Sequence, residues 1–179
     1  MDLPVYLTLF LIVVVLAAAV TDFLWQKIPN LLTFPSMLIG MGGHTFANGL
    51  EGLQMSLLGI AVGFGTLLLF YILGGMAAGD VKLLGAVGSI IGPQDVFLVF
   101  LMTAILGGVY SIGVMVGLFG ARGMFQRVTG IFKTWFLTKD LSLAFASPSK
   151  KQPKLRYGLV IALGTLTFQF WYWIGWWNL

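Results

Sequence analysis

Residues 3–20, LPVYLTLFLIVVVLAAAV, form a continuous run of uncharged and mostly apolar side chains. A run of roughly this length can cross the hydrocarbon core of a bilayer as a single helix. A cleaved signal peptide is the competing interpretation, but such peptides begin with basic residues and Met1-Asp2 supplies none. We therefore expect a retained transmembrane helix over residues 3–22.

The remainder of the chain has a similar character. Apolar residues make up 59% of the 179 residues and charged residues only 9%, whereas about a quarter of a soluble domain is charged. This composition excludes a large soluble domain and predicts an all-α polytopic membrane protein, a single domain over residues 1–179. With the first segment we expect about six transmembrane helices. The other five segments are residues 31–46, 53–73, 79–92, 96–119 and 157–177.

The distribution of charge predicts the orientation of these segments. All ten Lys and Arg residues fall on one side, at Lys27, at Lys82 and in a basic loop over residues 120–156. Basic residues concentrate on the cytoplasmic side of membrane proteins, so we expect this side to be cytoplasmic and both termini to lie outside. The acids expected on the opposite side are Asp2, Glu51 and Asp95.

Within the basic loop, residues 121–137 predict an amphipathic helix that lies in the cytoplasmic membrane interface. We expect its basic face to bind anionic lipid headgroups, with substrate docking as the alternative. One face carries Arg122, Gln126, Thr129 and Lys133, and the other carries Phe125, Val128, Phe132 and Trp135 or Phe136.

Several kinds of site are excluded by composition. The chain has no cysteine, which excludes disulfides, a thiol nucleophile and a cysteine-based zinc site. His44 is the only histidine, so a site with two histidine ligands is excluded, and we assign His44 no function. We expect no metal, no cofactor and no nucleic-acid partner, and the oligomeric state stays open.

Two carboxylates remain as candidates for chemistry. Asp22 ends the first segment and Asp80 begins the fourth, both on the cytoplasmic side. A carboxylate at the membrane boundary costs free energy to desolvate and is a functional candidate, although an exposed interfacial charge is the alternative. If the two meet, they share one proton, and such a pair can activate water and protonate a carbonyl without metal, Cys or His.

The residues around each aspartate resemble a known family. Residues 74–92, GGMAAGDVKLLGAVGSIIG, resemble the GxGD signature of type IV prepilin peptidases with its trailing KL and spaced glycines. Asp22 and the following residues 28–33, IPNLLT, resemble the other half of that signature. Residues 157–164, YGLVIALG, resemble the start of the last helix of the family.

The resemblance implies an aspartyl endopeptidase of the prokaryotic inner membrane, with Asp22 and Asp80 as its catalytic residues. Its substrate would be a prepilin, which has a short basic leader before an apolar helix and is cut at the cytoplasmic face. Longer members carry a methyltransferase region with four cysteines, whereas the first loop here is only residues 23–30. We therefore expect a peptidase-only form, similar to the prepilin peptidases of tight-adherence (Flp) pili, with a preflagellin peptidase as the alternative.

Five neighbours are candidates for shaping the site or binding substrate. Gly79 either lets the substrate backbone approach Asp80 or serves helix packing, and Lys82 is expected at lipid headgroups rather than in acid–base chemistry. Asn30, after Pro29, either orients the loop or substrate or caps a helix. Ala77 replaces the first glycine of the signature, which places any tight-turn role of that glycine in doubt.

Arg156 departs from the family pattern as well, since it stands where the family often has proline before the Tyr-Gly motif.

Two other classes of function compete with a peptidase. In a small proton-coupled transporter Asp22 and Asp80 would relay protons, but such relays place carboxylates near the bilayer midplane. In a structural subunit the glycine-rich faces would be interfaces, although close helix packing already explains spacings such as Gly59 with Gly63 and Gly113 with Gly117.

Overall fold

The computed structural model describes residues 5–139 and 156–175. Over these residues the chain is helical and contains no strand. Three stretches are long and apolar enough to cross a bilayer, namely Val5–Trp25, Asn30–Ile72 and Pro93–Leu118. The described residues are therefore all-helical and have the composition of a membrane protein, while the number of six spans stays a prediction. The helices are α1 (Val5–Trp25), α2 (Asn30–Ile72), α3 (Ala78–Ile91), α4 (Pro93–Thr138) and α5 (Tyr157–Trp173).

A break at Asn48 and Gly49 divides α2 into two halves. Gly49 has a φ of 59°, a value that glycine adopts without steric cost, and Asn48 also leaves the helical region. The break falls between the apolar segments expected over residues 31–46 and 53–73. Both halves pack along α3 and run in opposite directions, since their order of contact along α3 is reversed. Following α2 from its start, these contacts join Asn30 with Lys82, Gly40 with Ser89, Ser56 with Ser89, and Gly63 with Leu84.

Helix α3 forms the centre of this packing. Its 14 residues extend about 21 Å, which is less than the hydrocarbon thickness of a bilayer. From Asp80 onward every residue except Lys82 is buried. Helix α2 approaches so closely that a Cβ on Gly59 or Gly88 would overlap the backbone of the other. The close packing expected at Gly59 is thus confirmed.

The C-terminal end of α3 is buried, so its last carbonyl groups need partners from outside the helix. Ser56 Oγ donates a hydrogen bond to the Ser89 carbonyl, 2.7 Å away. His44 Nε2 bonds the Ile90 carbonyl, and because a carbonyl only accepts, this nitrogen carries a proton. His44, to which the sequence assigned no function, therefore has a structural one.

The chain forms two compact units, Met1–Leu106 with Arg156–Leu179, and Gly107–Leu155. In the first unit α1 packs against α2, α3 and α5, and α5 also contacts α3. The core here contains Leu11 and Val15 of α1, Leu84 and Val87 of α3, and Ile161 of α5. Apolar side chains on the outside of the helices remain exposed, as expected of surfaces that face lipid.

The second unit is described over residues 107–139. Gly120, with a φ of 69°, interrupts α4, and the chain is helical again up to Thr138. This is the helix expected over residues 121–137, and its polar side chains Arg122, Gln126, Thr129 and Lys133 are exposed. A Cβ on Gly113 or Gly117 would have no neighbour within 4 Å among the described residues. Parts of the predicted loop and segment ends lie outside the described residues, at 3–4, 140–155 and 176–177.

Candidate active site

Asp22 lies in the last turn of α1 and is buried, with 6% of its surface exposed. Its Oδ2 accepts a hydrogen bond from the Leu159 N–H at 3.3 Å, and the Gly158 N–H also donates to this carboxylate. Both amides belong to the first turn of α5, where N–H groups have no partner within the helix. The positive end of the α5 dipole therefore faces Asp22 and stabilises its negative charge.

Gly158 makes this contact possible because it has no side chain. A Cβ at this position would lie 2.9 Å from Asp22 Cβ, 3.0 Å from Asp22 Cγ and 2.8 Å from Ile28 Cδ1. Separations this short would force one of these groups to move. Gly158 belongs to the Tyr-Gly motif but was not among the predicted site residues, because only the fold reveals what lies against it.

Arg156 contributes a positive charge beside the same carboxylate. Its guanidinium lies over the Phe23 ring, with Cζ 4.5 Å from the ring centroid, and it interacts electrostatically with Asp22. Stacking on an aromatic face holds a guanidinium in place without removing its charge. The arginine that departs from the family pattern thus adds to the stabilisation of the Asp22 anion.

Asp80 lies in the first turn of α3 and is buried, with 4% of its surface exposed. Its Oδ2 accepts a hydrogen bond from the Ala77 N–H at 3.0 Å, and its own N–H donates to the Ala77 carbonyl at 3.1 Å. The Asp80 carboxylate therefore caps the N-terminus of α3, the helix to which Asp80 belongs.

The departure from the signature at Ala77 requires no strained backbone. Ala77 has a φ of −86° and a ψ of 152°, an extended conformation open to any residue. The positive φ in this turn is at Gly74, where it is 75°. The turn thus has its positive φ at a glycine three positions before Ala77, where this value carries no steric cost.

The fold brings the two carboxylates together. They are near enough for their charges to interact, and α1, α3 and α5 contact one another in this part of the first unit. Ile28, in the link between α1 and α2, reaches both sides of the site. A Cβ on Gly79, next to Asp80, would lie 3.2 Å from Ile28 Cβ, and one on Gly158 would meet the other end of the same side chain. Gly79 therefore packs against Ile28.

Lys82 and Asn30 bond to each other beside this site. Lys82 Nζ donates a hydrogen bond to Asn30 Oδ1 at 2.9 Å and lies 5.3 Å from the centroid of the Phe34 ring. Asn30 is the first residue of α2, and the cap position is occupied by Pro29, which makes no side-chain bond there. Asn30 thus ties the start of α2 to α3 instead of capping its own helix.

Two buried carboxylates whose charges interact do not both ionise easily, so one can hold a proton while the other is charged. Over residues 5–139 and 156–175, no group of three or more His, Asp and Glu side chains is arranged to hold a metal ion. The two carboxyl groups themselves support acid–base chemistry, in which one member accepts a proton and the other donates one.

Comparison with known proteins gives a family match over much of the chain. The family model described as the type IV leader peptidase family matches residues 9–112, more than half of the chain. The matched stretch includes Asp22, Asp80 and the segments that join them, and it ends before α5. No curated protein and no solved structure gives a significant match.

Proposed function

Since the chain belongs to the type IV leader peptidase family, we propose that Asp22 and Asp80 are the catalytic pair of an aspartyl endopeptidase that cuts prepilin leaders. The observation that carries this proposal is the burial of both carboxylates, on α1 and α3, at a distance where their charges interact. Two carboxylates buried near each other are unfavourable for folding, which makes a catalytic use the best explanation of this pair.

The surroundings of the two carboxylates suggest different roles for them. Asp22 is bound by amides of the first turn of α5 and lies near the Arg156 guanidinium, which together favour the negative form. Asp80 accepts one amide bond, from Ala77, and lies near the Asp22 charge. We therefore assign the proton of the pair to Asp80.

Hydrolysis then proceeds as follows. Asp22 removes a proton from water while the oxygen of that water attacks the scissile carbonyl carbon and Asp80 protonates the carbonyl oxygen. In the resulting tetrahedral diol the C–N bond breaks, the leaving nitrogen takes the proton held by Asp22, and a diol hydroxyl returns a proton to Asp80. One water is consumed, and the pair ends in its starting protonation state.

We place the site at the cytoplasmic face of the prokaryotic inner membrane. Asp22 is at the end of α1 and Asp80 at the start of α3, and the nearby Lys27 and Lys82 mark this side as cytoplasmic. Both termini would then lie outside in a topology of six spans.

The substrate that suits this location has an apolar helix preceded by a short basic leader. The apolar helix would remain in lipid beside the exposed apolar side chains of the bundle while the leader stays in water. A Flp-type prepilin meets this description, and a preflagellin is the related alternative within the family.

The test is cleavage of defined precursors by the purified protein in detergent. A Flp-type prepilin, a longer type IV prepilin and a preflagellin are each incubated with it, and the products are identified by gel mobility and mass spectrometry. The proposal predicts a single cut between leader and apolar helix, fastest for the Flp-type precursor. Preferred cleavage of the preflagellin would reassign the substrate, and cleavage of none would refute the proposed function.

We further propose that the helix of residues 121–138 binds anionic lipid through its exposed Arg122 and Lys133. Replacing both residues with glutamate should weaken the binding of anionic lipid to the protein in nanodiscs. The control variant, Gln126→Glu with Thr129→Glu on the same face, should weaken this binding less. Equal effects of the two pairs would contradict a specific role of the basic residues.

A further inference from the structure

We propose that Ile28 is a positioning residue that sets the separation between Asp22 and Asp80. Ile28 belongs to the four-residue link between α1 and α2, and its side chain is partly buried against the core. The inference rests on the proposed function, in that these two aspartates are taken as the catalytic pair. It adds a residue whose role is to position the two aspartates and not to take part in the chemistry.

The first contact of Ile28 is with the helix that carries Asp80. A Cβ built on Gly79 would lie 3.2 Å from Ile28 Cβ, 3.5 Å from its carbonyl oxygen and 3.6 Å from its nitrogen. Both the backbone and the side chain of Ile28 therefore lie flat against the first turn of α3. Asp80 is the next residue along that turn, so its position depends on where this contact holds the helix.

The second contact is with the helix that binds Asp22. A Cβ built on Gly158 would lie 2.8 Å from Ile28 Cδ1 and 2.9 Å from Asp22 Cβ. The far end of the isoleucine side chain thus reaches the same turn of α5 whose amides bind the Asp22 carboxylate. The Ile28 side chain consequently spans the space between Gly79, which precedes Asp80 in the sequence, and Gly158, which lies against Asp22 in the fold.

The link that carries Ile28 is fixed at both of its ends. The Gln26 N–H donates to the Asp22 carbonyl at 2.9 Å, and the Leu32 N–H donates to the Pro29 carbonyl at 3.0 Å. Pro29 restricts its own φ, and Asn30, directly after it, is bonded to Lys82. Because neither end of the link is free to move, the size of the Ile28 side chain determines the distance between the Gly79 turn of α3 and the Gly158 turn of α5.

Shortening this side chain to alanine keeps the contact of Ile28 with Gly79, but it removes the contact of Ile28 with α5 and leaves the Gly158 turn beside Asp22 free to shift. A displacement of about 1 Å in a catalytic site can lower turnover about 100-fold. Because the groups that shift are the reacting aspartates, we expect the loss to appear in kcat with little change in KM.

Kinetics with three variants tests the proposal. Ile28→Ala deletes the spacer, Ile28→Val keeps most of it, and Ile91→Ala is a matched control that deletes the same atoms from a buried isoleucine at the other end of α3. We expect Ile28→Ala to lower kcat about 10- to 100-fold with little change in KM, and Ile28→Val to recover most of it. Ile91→Ala should lower the melting temperature and leave kcat per folded enzyme close to that of the parent.

A distance measurement that needs no substrate separates this inference from the proposed function. Since the chain lacks cysteine, spin labels can be attached at Leu24→Cys and Ala78→Cys, two exposed positions close to Asp22 and Asp80. Ile28→Ala should shift or broaden the distance distribution, whereas Ile91→Ala should leave it as in the parent.

The outcomes are distinct. If the parent cuts no precursor but the distance responds to Ile28→Ala alone, the positioning role holds and the proposed function fails. If Ile28→Ala keeps the parent distance, or changes it no more than Ile91→Ala does, the positioning role is overturned whatever the activity. A parental kcat in Ile28→Ala overturns it equally.

Discussion

The backbone N–H of Leu159 donates a hydrogen bond to the Asp22 carboxylate, although 137 positions of sequence separate the two residues. The contact joins the end of the first helix to the start of the last described one. It gives the buried carboxylate a hydrogen-bond donor in place of the water that burial removes. The Tyr-Gly motif at residues 157–158 is thereby connected to Asp22 by geometry as well as by resemblance.

Gly158→Ala should lower peptidase activity by about tenfold or more, because its new methyl group must displace either Asp22 or Ile28 from the geometry that the reaction needs. The measurement is the rate of precursor cleavage per folded enzyme. Gly65→Ala is the matched control, since a Cβ at Gly65 has no neighbour within 4 Å among the described residues. Equal activity of the two variants would contradict the close approach at Gly158.

His44→Ala should lower the free energy of unfolding in detergent by about 1–3 kcal/mol, because it leaves the buried Ile90 carbonyl without its donor. His44→Gln retains an N–H donor and should lose less. Thr45→Ala removes a hydroxyl on the exposed surface next to His44 and should change stability by less than about 0.5 kcal/mol. A loss in His44→Ala no larger than that of Thr45→Ala would mean that the carbonyl finds another partner.

Lys82→Met and Asn30→Ala should be non-additive in a double-mutant cycle, because each removes the same hydrogen bond. The expected coupling is about 0.5 kcal/mol or more, read from kcat/KM or from stability. Lys27→Met combined with Asn30→Ala serves as the control and should be additive. Additive effects of Lys82→Met would instead favour the lipid-headgroup role expected from the sequence.

Ala77→Gly, which restores the family signature, should not raise activity, since Ala77 already has the extended backbone that this turn uses. It should lower stability by about 0.4–1 kcal/mol, because glycine has more freedom in the unfolded chain. Cleavage rate and melting temperature of the variant check this. A several-fold rise in turnover would show that the working enzyme needs a positive φ at this position.

Much of the fold could be predicted from the sequence because lipid imposes a simple pattern. Apolar runs mark the helices, and the stretch between residues 46 and 53, which contains Asn48-Gly49, coincides with the break in α2. Asp22 and Asp80 stood out because carboxylates are scarce at helix ends in such a chain. The helix of residues 121–138 followed from the periodicity of its sequence.

Other features could not be predicted, because they depend on contacts between distant segments. The role of His44 requires knowing that α3 ends against it, and a lone histidine in an apolar run gives no such signal. Nor does the sequence indicate that Asn30 bonds Lys82 instead of capping α2. The steric role of Gly158 could have been suspected only from its motif, since glycine is abundant throughout the chain.

The central claim is that Asp22 and Asp80 together perform the hydrolysis. The most direct test is the rate at which Asp22→Asn and Asp80→Asn cleave a precursor that the parent cuts, with Asp95→Asn as the control from α4. Each site variant should lose about 100-fold or more of the rate while remaining folded, and Asp95→Asn should cleave at close to the parental rate. Cleavage at the parental rate by either Asp22→Asn or Asp80→Asn would contradict the account.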